Sequence, residues 1–227
     1  QEKRYAEAAI EYLNVLQADR NQAEAIRQIG LAYYVQQQYV KAFPFLKRAL
    51  EKDASNDDLR LKVATICFLA AEYDLVKQHV AVLLEHNPHD LEALKLLCGI
   101  ATTPEEVESA LTRLNEAAPS IQDQSRVELL RGHLQLRQRN LVAAEQSFLT
   151  AQRLDPQSAD ALLMLGALYL QQGQTAQAGK QFEAASQLAP TNINVQLRWA
   201  DFKRQTGELQ ESKKLLTEMT RQEPAAA

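Results

Sequence analysis

The sequence predicts an all-α protein made of paired helices that repeat along the chain. In residues 166–190, GALYLQQGQTAQAGKQFEAASQLAP, small and apolar residues recur at offsets of three to five, a spacing that fits helices and not β-strands. The 227 residues include only seven glycines and seven prolines, which is few for a β-rich or disordered protein. A similar spacing occurs 34 residues earlier, in residues 132–156, and this indicates a repeat architecture.

The repeat frame holds along the chain without an insertion. Residues 1–22 match the second half of a repeat, since Tyr5 and Ala8 correspond to Tyr39 and Ala42. Full repeats of 34 residues follow at 23–56, 57–90, 91–124, 125–158, 159–192 and 193–226. We therefore expect one array over the whole chain. Because the chain starts inside an amphipathic pattern, we also expect it to be a segment of a longer protein.

Each repeat contains two helices whose packing residues complement each other. Small residues on the first helix allow its partner to approach closely: Gly30, Ala64, Cys98, Gly132, Gly166 and Ala200. Alanines on the second helix have the same role: Ala42, Ala110, Ala144 and Ala178. Larger side chains are expected to fill the space between these contacts: Leu46, Val80, Leu114, Phe148, Phe182 and Leu216.

Glycine and proline mark the ends of the predicted helices. Gly173 and Gly207 stand at the turn within a repeat, where a positive φ is often required. Proline cannot extend the hydrogen-bond ladder and is expected to end the second helices, at Pro88, Pro156, Pro190 and Pro224.

The repeat at 91–124 is the most degenerate of the array. Thr103 and Pro104, followed by two glutamates, form an N-cap signal, so the first helix should end near Ala101. Pro119 comes three residues before the expected stop and leaves PSIQDQS as a longer linker. We expect a local irregularity here, and a flexible point is an alternative reading.

Three residues depart from the usual pattern of the other repeats. Pro44 lies inside a second helix and should bend it slightly, because it cannot donate to Val40. Arg60 and Glu128 occupy positions where a large apolar residue is usual. We expect each to extend its charged end to solvent.

The 34-residue pattern resembles the tetratricopeptide repeat over essentially the whole chain. The best match is LLMLGALYLQQGQTAQAGKQFEAASQLAP, and AIRQIGLAYYVQQQYVKAFPFLKRAL supports it. The resemblance implies a right-handed superhelical α-solenoid of antiparallel helix pairs. It says little about function, since such arrays serve many purposes.

The sequence offers no recognisable catalytic or metal site. His86 and His89 flank a turn, and no cysteine or carboxylate joins them at zinc-ligand spacing. Cys67 and Cys98 are expected to be buried thiols, with a disulfide as the alternative. Phosphate loops and nucleophile motifs are absent. We therefore expect no enzymatic activity, no metal and no cofactor.

By the resemblance, the first helices of such repeats line a concave groove that binds partners. The positions carried over to this chain, called the groove residues below, are Arg27, Leu31, Tyr34, Leu61, Phe68, Lys95, Leu129, His133, Leu136, Leu163 and Leu170. They are mainly apolar, which favours an amphipathic helix or an extended hydrophobic peptide as ligand. The alternative is that the leucines only complete packing between repeats. The Lys/Asn carboxylate clamp and the asparagine ladder of other family members are absent.

The function predicted from these observations is a non-enzymatic protein-interaction scaffold. The glutamine-rich, leucine/alanine-rich helices are similar to bacterial arrays of exopolysaccharide and envelope export, including those that accompany exosortase systems. Alternatives are a regulatory or substrate-positioning segment of a larger enzyme such as a transferase, and a self-associating array. The net charge of −4 disfavours nucleic-acid binding, and no apolar run is long enough to span a membrane. The sequence leaves the compartment open between a bacterial envelope and the cytoplasm.

Overall fold

The protein is all-helical over the residues that the structure describes. The computed structural model describes the backbone of residues 2–222 and the side chains of residues 10–220. Its α-helices are α1 Glu2–Ala18, α2 Ala23–Val35, α3 Tyr39–Lys52, α4 Asp57–Leu69, α5 Tyr73–His86, α6 Leu91–Ile100, α7 Pro104–Ala117, α8 Gln124–Arg137, α9 Leu141–Leu154, α10 Ala159–Gln171, α11 Thr175–Leu188, α12 Ile193–Gln205 and α13 Leu209–Gln222. A 3₁₀ turn at Ala118–Ser120 follows α7. The all-α prediction is confirmed.

The chain divides into two compact units. Unit 1 is Gln1–Thr102 and contains α1 to α6, and unit 2 is Thr103–Ala227 and contains α7 to α13. Within each unit, consecutive helices pack against each other, and the helices of one hairpin form the pairs α2–α3, α4–α5, α8–α9, α10–α11 and α12–α13. The short connections make the members of each pair antiparallel, so each unit is a stack of helix hairpins.

The turn inside each hairpin has a left-handed residue that ends the first helix. Gly173 has φ 75° and Gly207 has φ 88°, so the prediction for both glycines is confirmed. In α10, the Gly173 amide donates to the Leu170 carbonyl, and the Gln174 amide donates to the Tyr169 carbonyl. These two bonds satisfy the last carbonyls of the helix.

The same turn occurs without glycine in three other hairpins. Gln37, Ala71 and Arg139 have φ values of 57°, 58° and 58° and make the same pair of backbone hydrogen bonds. A side chain in this conformation is strained, which glycine avoids. The fold therefore holds these turns against the local preference of their residues.

Proline lies just beyond the end of three second helices, as predicted. Helices α5, α9 and α11 end at His86, Leu154 and Leu188, each two residues before a proline. Pro224 lies outside the described residues. Pro44 lies inside α3, which continues from Tyr39 to Lys52 as one helix.

The boundary between the units falls in the degenerate repeat at 91–124. Helix α6 ends at Ile100, and α7 begins at Pro104, which confirms the predicted early end. The Thr103 hydroxyl accepts from the Glu106 amide, and the Glu106 carboxylate accepts from the Thr103 amide, each at 3.2 Å. This capping box explains why the helix starts at this point.

Close packing within the hairpins follows the predicted pairing of small with large residues. An added Cβ on Gly30 would lie 2.8 Å from the Leu46 side chain, and one on Gly132 would overlap the Phe148 ring. Phe148 and Leu46 are themselves fully buried. The glycines are therefore required by contact with the second helix and not by their backbone conformation.

One predicted core residue is exposed. Leu216 on α13 was expected to fill the last hairpin, but 41% of it is exposed. The buried residue of that face is Ser212, whose hydroxyl donates to the Ala200 carbonyl at 2.8 Å. Because α13 is the last described helix, no described helix follows it to cover Leu216.

The expectation for Arg60 and Glu128 was wrong. The Arg60 side chain is only 13% exposed and donates to the Ala54 carbonyl, with Asp57 4.0 Å away. Glu128 is 16% exposed and forms an ion pair with Arg131. Each charged group therefore meets a neighbour within the fold instead of extending to solvent, although the buried Nε of Arg60 has no hydrogen-bond partner.

Candidate functional site

In unit 1, the first helices of successive hairpins lie side by side. The Lys62 ammonium of α4 lies 5.8 Å from the centre of the Tyr34 ring of α2. A Cβ on Gly99 of α6 would lie 2.7 Å from the Phe68 ring of α4. The groove residues of unit 1 are therefore on adjacent helices.

The apolar groove residues of unit 1 remain partly accessible. Leu31, Tyr34, Leu61 and Phe68 are all half-buried. The Tyr34 ring meets Tyr39 edge-on at 5.5 Å, and Phe68 lies 6.2 Å from Tyr73. Aromatic surface held in this way can contact a partner with little loss of side-chain freedom.

The two cations among the groove residues of unit 1 have acidic neighbours on their own helices. Arg27 is 2.9 Å from Glu24, and Lys95 is 3.8 Å from Glu92. The hydrogen bond from Arg27, with a second from Gln28, lowers the pKa of Glu24. These pairs reduce the net charge that this surface offers to a ligand.

In unit 2, two of the groove residues belong mainly to the core. Leu129 and Leu163 are 9% and 7% exposed and pack in one cluster with Phe148 and Phe182. Leu136 and Leu170 pack against that cluster and are half-buried. The alternative reading of the groove leucines, packing between helices, therefore describes Leu129 and Leu163 well.

His133 lies on α8 with its ring against the core. The ring meets Phe148 edge-on, with 5.8 Å between the centroids, while the side chain keeps an exposed part. Loss of solvent lowers the pKa of His133, and the nearby Arg137 charge lowers it further, whereas Asp160 opposes the change. The neutral imidazole is thereby favoured.

A cleft of about 350 Å³ opens between α10 and α12. Its walls are mainly apolar and include two groove residues. The lining residues are Leu163, Met164, Ala167, Leu170, Gln171, Phe182, Arg198, Asp201, Phe202 and Gln205. The cleft therefore brings Leu163 and Leu170, two groove residues of unit 2, to one concavity.

Sequence reasoning missed Met164, Arg198 and Phe202 as lining residues. The groove positions were taken from single helices, one repeat at a time. The cleft instead lies between two repeats, and Phe202 reaches it from α12 while packing 5.2 Å from Phe182. The shared position of Met164 and Arg198 in successive repeats is the signal that could have identified both.

The described residues offer no metal cluster. Within residues 10–220, no group of three or more His, Cys, Asp or Glu side chains could hold an ion. Cys67 and Cys98 are buried thiols, as expected, and no disulfide joins them. Burial raises the pKa of the Cys67 thiol, and this disfavours a reactive thiolate. Among the described helices, none is long and apolar enough to cross a membrane.

Family comparison agrees with the hairpin architecture. One tetratricopeptide repeat model matches residues 34–98 and 170–227, which together exceed half of the chain, and a second matches residues 129–193. The chain belongs to the tetratricopeptide repeat family. It is thus a repeat protein of the protein-interaction type.

Known tetratricopeptide repeat proteins share its fold. A thermophilic protein of this family from Thermus thermophilus superposes with a TM-score of 0.69 at 20% identity, over 79% of this chain and 98% of that one. PilW, a type IV pilus biogenesis factor, superposes with a TM-score of 0.66 at 17% identity, over 88% and 92%. At such identities the likeness concerns the fold alone.

A curated relative extends the comparison to a much longer protein. The human protein O-mannosyl-transferase TMTC1 is 26% identical over 196 residues, which cover 84% of this chain. The chain spans 22% of the length of that relative. These comparisons give no support to the expected association with exopolysaccharide or exosortase-type export.

Proposed function

We propose that this tetratricopeptide repeat chain binds an apolar peptide, helical or extended, along the first helices of its hairpins. The partners of such repeat proteins are proteins or peptides, and the proposal specifies which surface of this chain they contact. Within each unit taken separately, the groove residues that remain partly exposed are the proposed contact surface. The segment acts as a scaffold, without catalysis of its own.

One observation carries this proposal: the cleft between α10 and α12. This concavity combines apolar walls with partial access to solvent, since Met164 and Leu170 are half-buried in its lining. Its lining includes Leu170, a groove residue, together with Phe182 and Phe202. Unit 1, considered by itself, also has half-buried apolar groove residues in Leu31, Tyr34 and Leu61.

A preformed surface of this kind favours binding of a flexible segment. The helices are fixed by hairpin packing before a ligand arrives, so the cost of ordering falls mainly on the peptide. Apolar side chains spaced along a helix or strand could then reach successive hairpins.

Selection from a random dodecapeptide library displayed on phage would test the proposal. Enriched peptides would be synthesised with a fluorophore, and their binding to the chain measured by fluorescence polarisation. We expect Tyr34→Ala or Leu170→Ala to weaken the binding of peptides that contact the respective unit. Val142→Ala, on an exposed side chain of α9, is the control. Equal affinity for all these variants would show that the peptides bind elsewhere.

A second candidate function is a positioning segment within a larger enzyme, such as a transferase. The observation that favours it is the match to the human O-mannosyl-transferase, most of which lies outside the matched region. Sequencing the complete parental reading frame would test it. A fused transferase domain would support this function, and its absence would exclude it.

Self-association is a further proposal, based on the last described hairpin. Leu209 and Leu216 of α13 are 61% and 41% exposed. Sedimentation velocity would show a larger species at higher concentration if these side chains join two copies. A monomer at every concentration would contradict self-association.

A further inference from the structure

We propose that the cleft between α10 and α12 selects a bulky apolar side chain flanked by a carboxylate, with Arg198 as the residue that recognises the carboxylate. This inference rests on the proposed function and specifies the chemistry of its ligand. It follows from the shape of the cleft, the fixed position of its aromatic wall and the distribution of charge at its rim.

The floor of the cleft suits a large apolar side chain. Leu163, Met164, Leu170 and Phe182 line it, and the volume of about 350 Å³ is that of a small ligand pocket. Leu163 and Phe182 are already buried, whereas Met164 and Leu170 are half-buried. A leucine or phenylalanine side chain of a ligand would therefore cover the remaining apolar surface of Met164 and Leu170 and remove its own surface from water.

The aromatic wall is held in place by neighbouring rings. Phe202 stacks on Trp199 with 5.6 Å between the centroids and an interplanar angle of 9°. The centre of its ring also lies 5.2 Å from that of Phe182. Because Lys203 lies 4.6 Å from the centre of the Trp199 ring, the stack is also covered from solvent. The wall therefore needs little rearrangement when a ligand enters.

The acidic residue at the rim is already neutralised. Asp201 accepts a hydrogen bond from Arg204 Nη2 at 2.6 Å and one from Gln205 Nε2 at 2.7 Å. These bonds lower the pKa of Asp201, and the nearby charges of Arg204 and Arg198 lower it further, so the carboxylate stays ionised between two cations. A basic ligand would have to displace Arg204 to use this carboxylate.

Arg198 supplies the positive charge that remains. It lines the cleft, its side chain is exposed, and the charged lining residues are Arg198 and Asp201. With Asp201 paired to Arg204, the guanidinium of Arg198 can donate two hydrogen bonds to a carboxylate of the ligand. Charge complementarity thus favours an acidic residue next to the apolar anchor.

The composition of selected peptides gives the first test. Peptides from the dodecapeptide library that compete for the cleft should carry Asp or Glu within one helical turn of a Leu, Phe or Met. Random or basic flanking residues among these peptides would overturn the proposal.

Two variants test the residues directly. Arg198→Glu should weaken the binding of an acidic selected peptide by roughly tenfold or more, and should favour the same peptide with Lys in place of its acid. Ala167→Phe, at an exposed lining residue, should block the cleft and weaken both peptides. The matched controls are Arg153→Glu on α9 and Ala176→Phe on α11, both at exposed positions.

The outcomes separate this inference from the proposed function. If Ala167→Phe weakens binding and Arg198→Glu does not, the carboxylate preference is wrong while groove binding stands. If neither variant has an effect and Tyr34→Ala or Leu170→Ala also has none, both proposals are wrong. If the chain self-associates and Arg198→Glu abolishes the association, a second copy occupies the cleft and the peptide proposal is overturned.

Discussion

Gly166 of α10 lies directly against the ring of Phe182 in α11. A Cβ added to Gly166 would be 3.1 Å from three atoms of that ring, and Phe182 itself is buried. Gly166→Leu should therefore overpack the hairpin and lower the free energy of unfolding by about 1–3 kcal/mol. Urea denaturation followed by circular dichroism would measure the change.

The control for this prediction is the adjacent residue. Ala167→Leu places the same side chain at an exposed position of α10, in the lining of the open cleft. An unchanged unfolding midpoint for Gly166→Leu would contradict the predicted repeat register, whatever the result for Ala167→Leu.

The left-handed turn at Ala71 offers a stabilising substitution. Ala71 has φ 58°, a conformation that costs a residue with a Cβ about 1–2 kcal/mol, whereas glycine adopts it readily. Allowing for the greater freedom of glycine in the unfolded chain, Ala71→Gly should stabilise the protein by about 0.5–1 kcal/mol. Urea unfolding midpoints would reveal the gain.

The reverse change at the equivalent turn is the companion experiment. Gly173 has φ 75° and no neighbouring atom close to the site of an added Cβ. Gly173→Ala should thus destabilise through backbone strain alone. If Gly173→Ala lowers the stability but Ala71→Gly does not raise it, the backbone at Ala71 is not strained.

The hairpin packing could be predicted from sequence because it depends on regular spacing. Gly166 and Phe182 are separated by a constant interval that recurs for Gly132 and Phe148, so one correct alignment identifies both contacts. The turn at Gly173 could also be predicted, because glycine is the residue type that most readily adopts a positive φ. The start of α7 could be predicted from Thr103 and the residues directly after it, because an N-cap signal is local in the sequence.

The partners of the charged residues could not be predicted in the same way. Arg60 donates to the Ala54 carbonyl, and Glu128 forms an ion pair with Arg131. These contacts depend on the side-chain conformations in the folded protein, which the repeat spacing does not specify. The cleft was missed for a related reason. Leu163 and Phe202, which line the cleft together, belong to successive repeats. The repeat spacing in the sequence does not show which side chains of two repeats line the same cleft.

Tyr34→Ala should weaken the binding of peptides that contact unit 1 while helicity is retained. The ring is half-buried, and its described contacts are with Tyr39 and the Lys62 ammonium at the surface. Fluorescence polarisation would measure affinity, and circular dichroism would report helicity. The groove assignment for unit 1 would be wrong if every selected peptide bound the Tyr34→Ala variant with the same affinity as the parent chain.

Phe68→Ala tests the same surface less cleanly. The Phe68 ring fills the space against Gly99, so its removal leaves a gap between α4 and α6. We expect a loss of both affinity and stability for Phe68→Ala, in contrast to Tyr34→Ala. A loss of affinity without any loss of stability would show that the Phe68–Gly99 contact contributes little to packing.

The free energy of unfolding should fall as the pH falls below neutrality, because His79 of α5 is harder to protonate in the folded state than in the unfolded state. Burial lowers the pKa of His79 from its ordinary value of 6.5, and the Arg60 charge lowers it further. In the pH range below 6.5, the unfolded state therefore binds more protons than the folded state, so stability falls as the pH falls. Urea midpoints at about pH 7, 6 and 5 should decrease in that order, and His79→Gln should make the decrease smaller. His89→Gln, which removes an exposed histidine from the turn after α5, is the control. An identical pH dependence in His79→Gln and the parent chain would show that His79 does not contribute to the acid sensitivity.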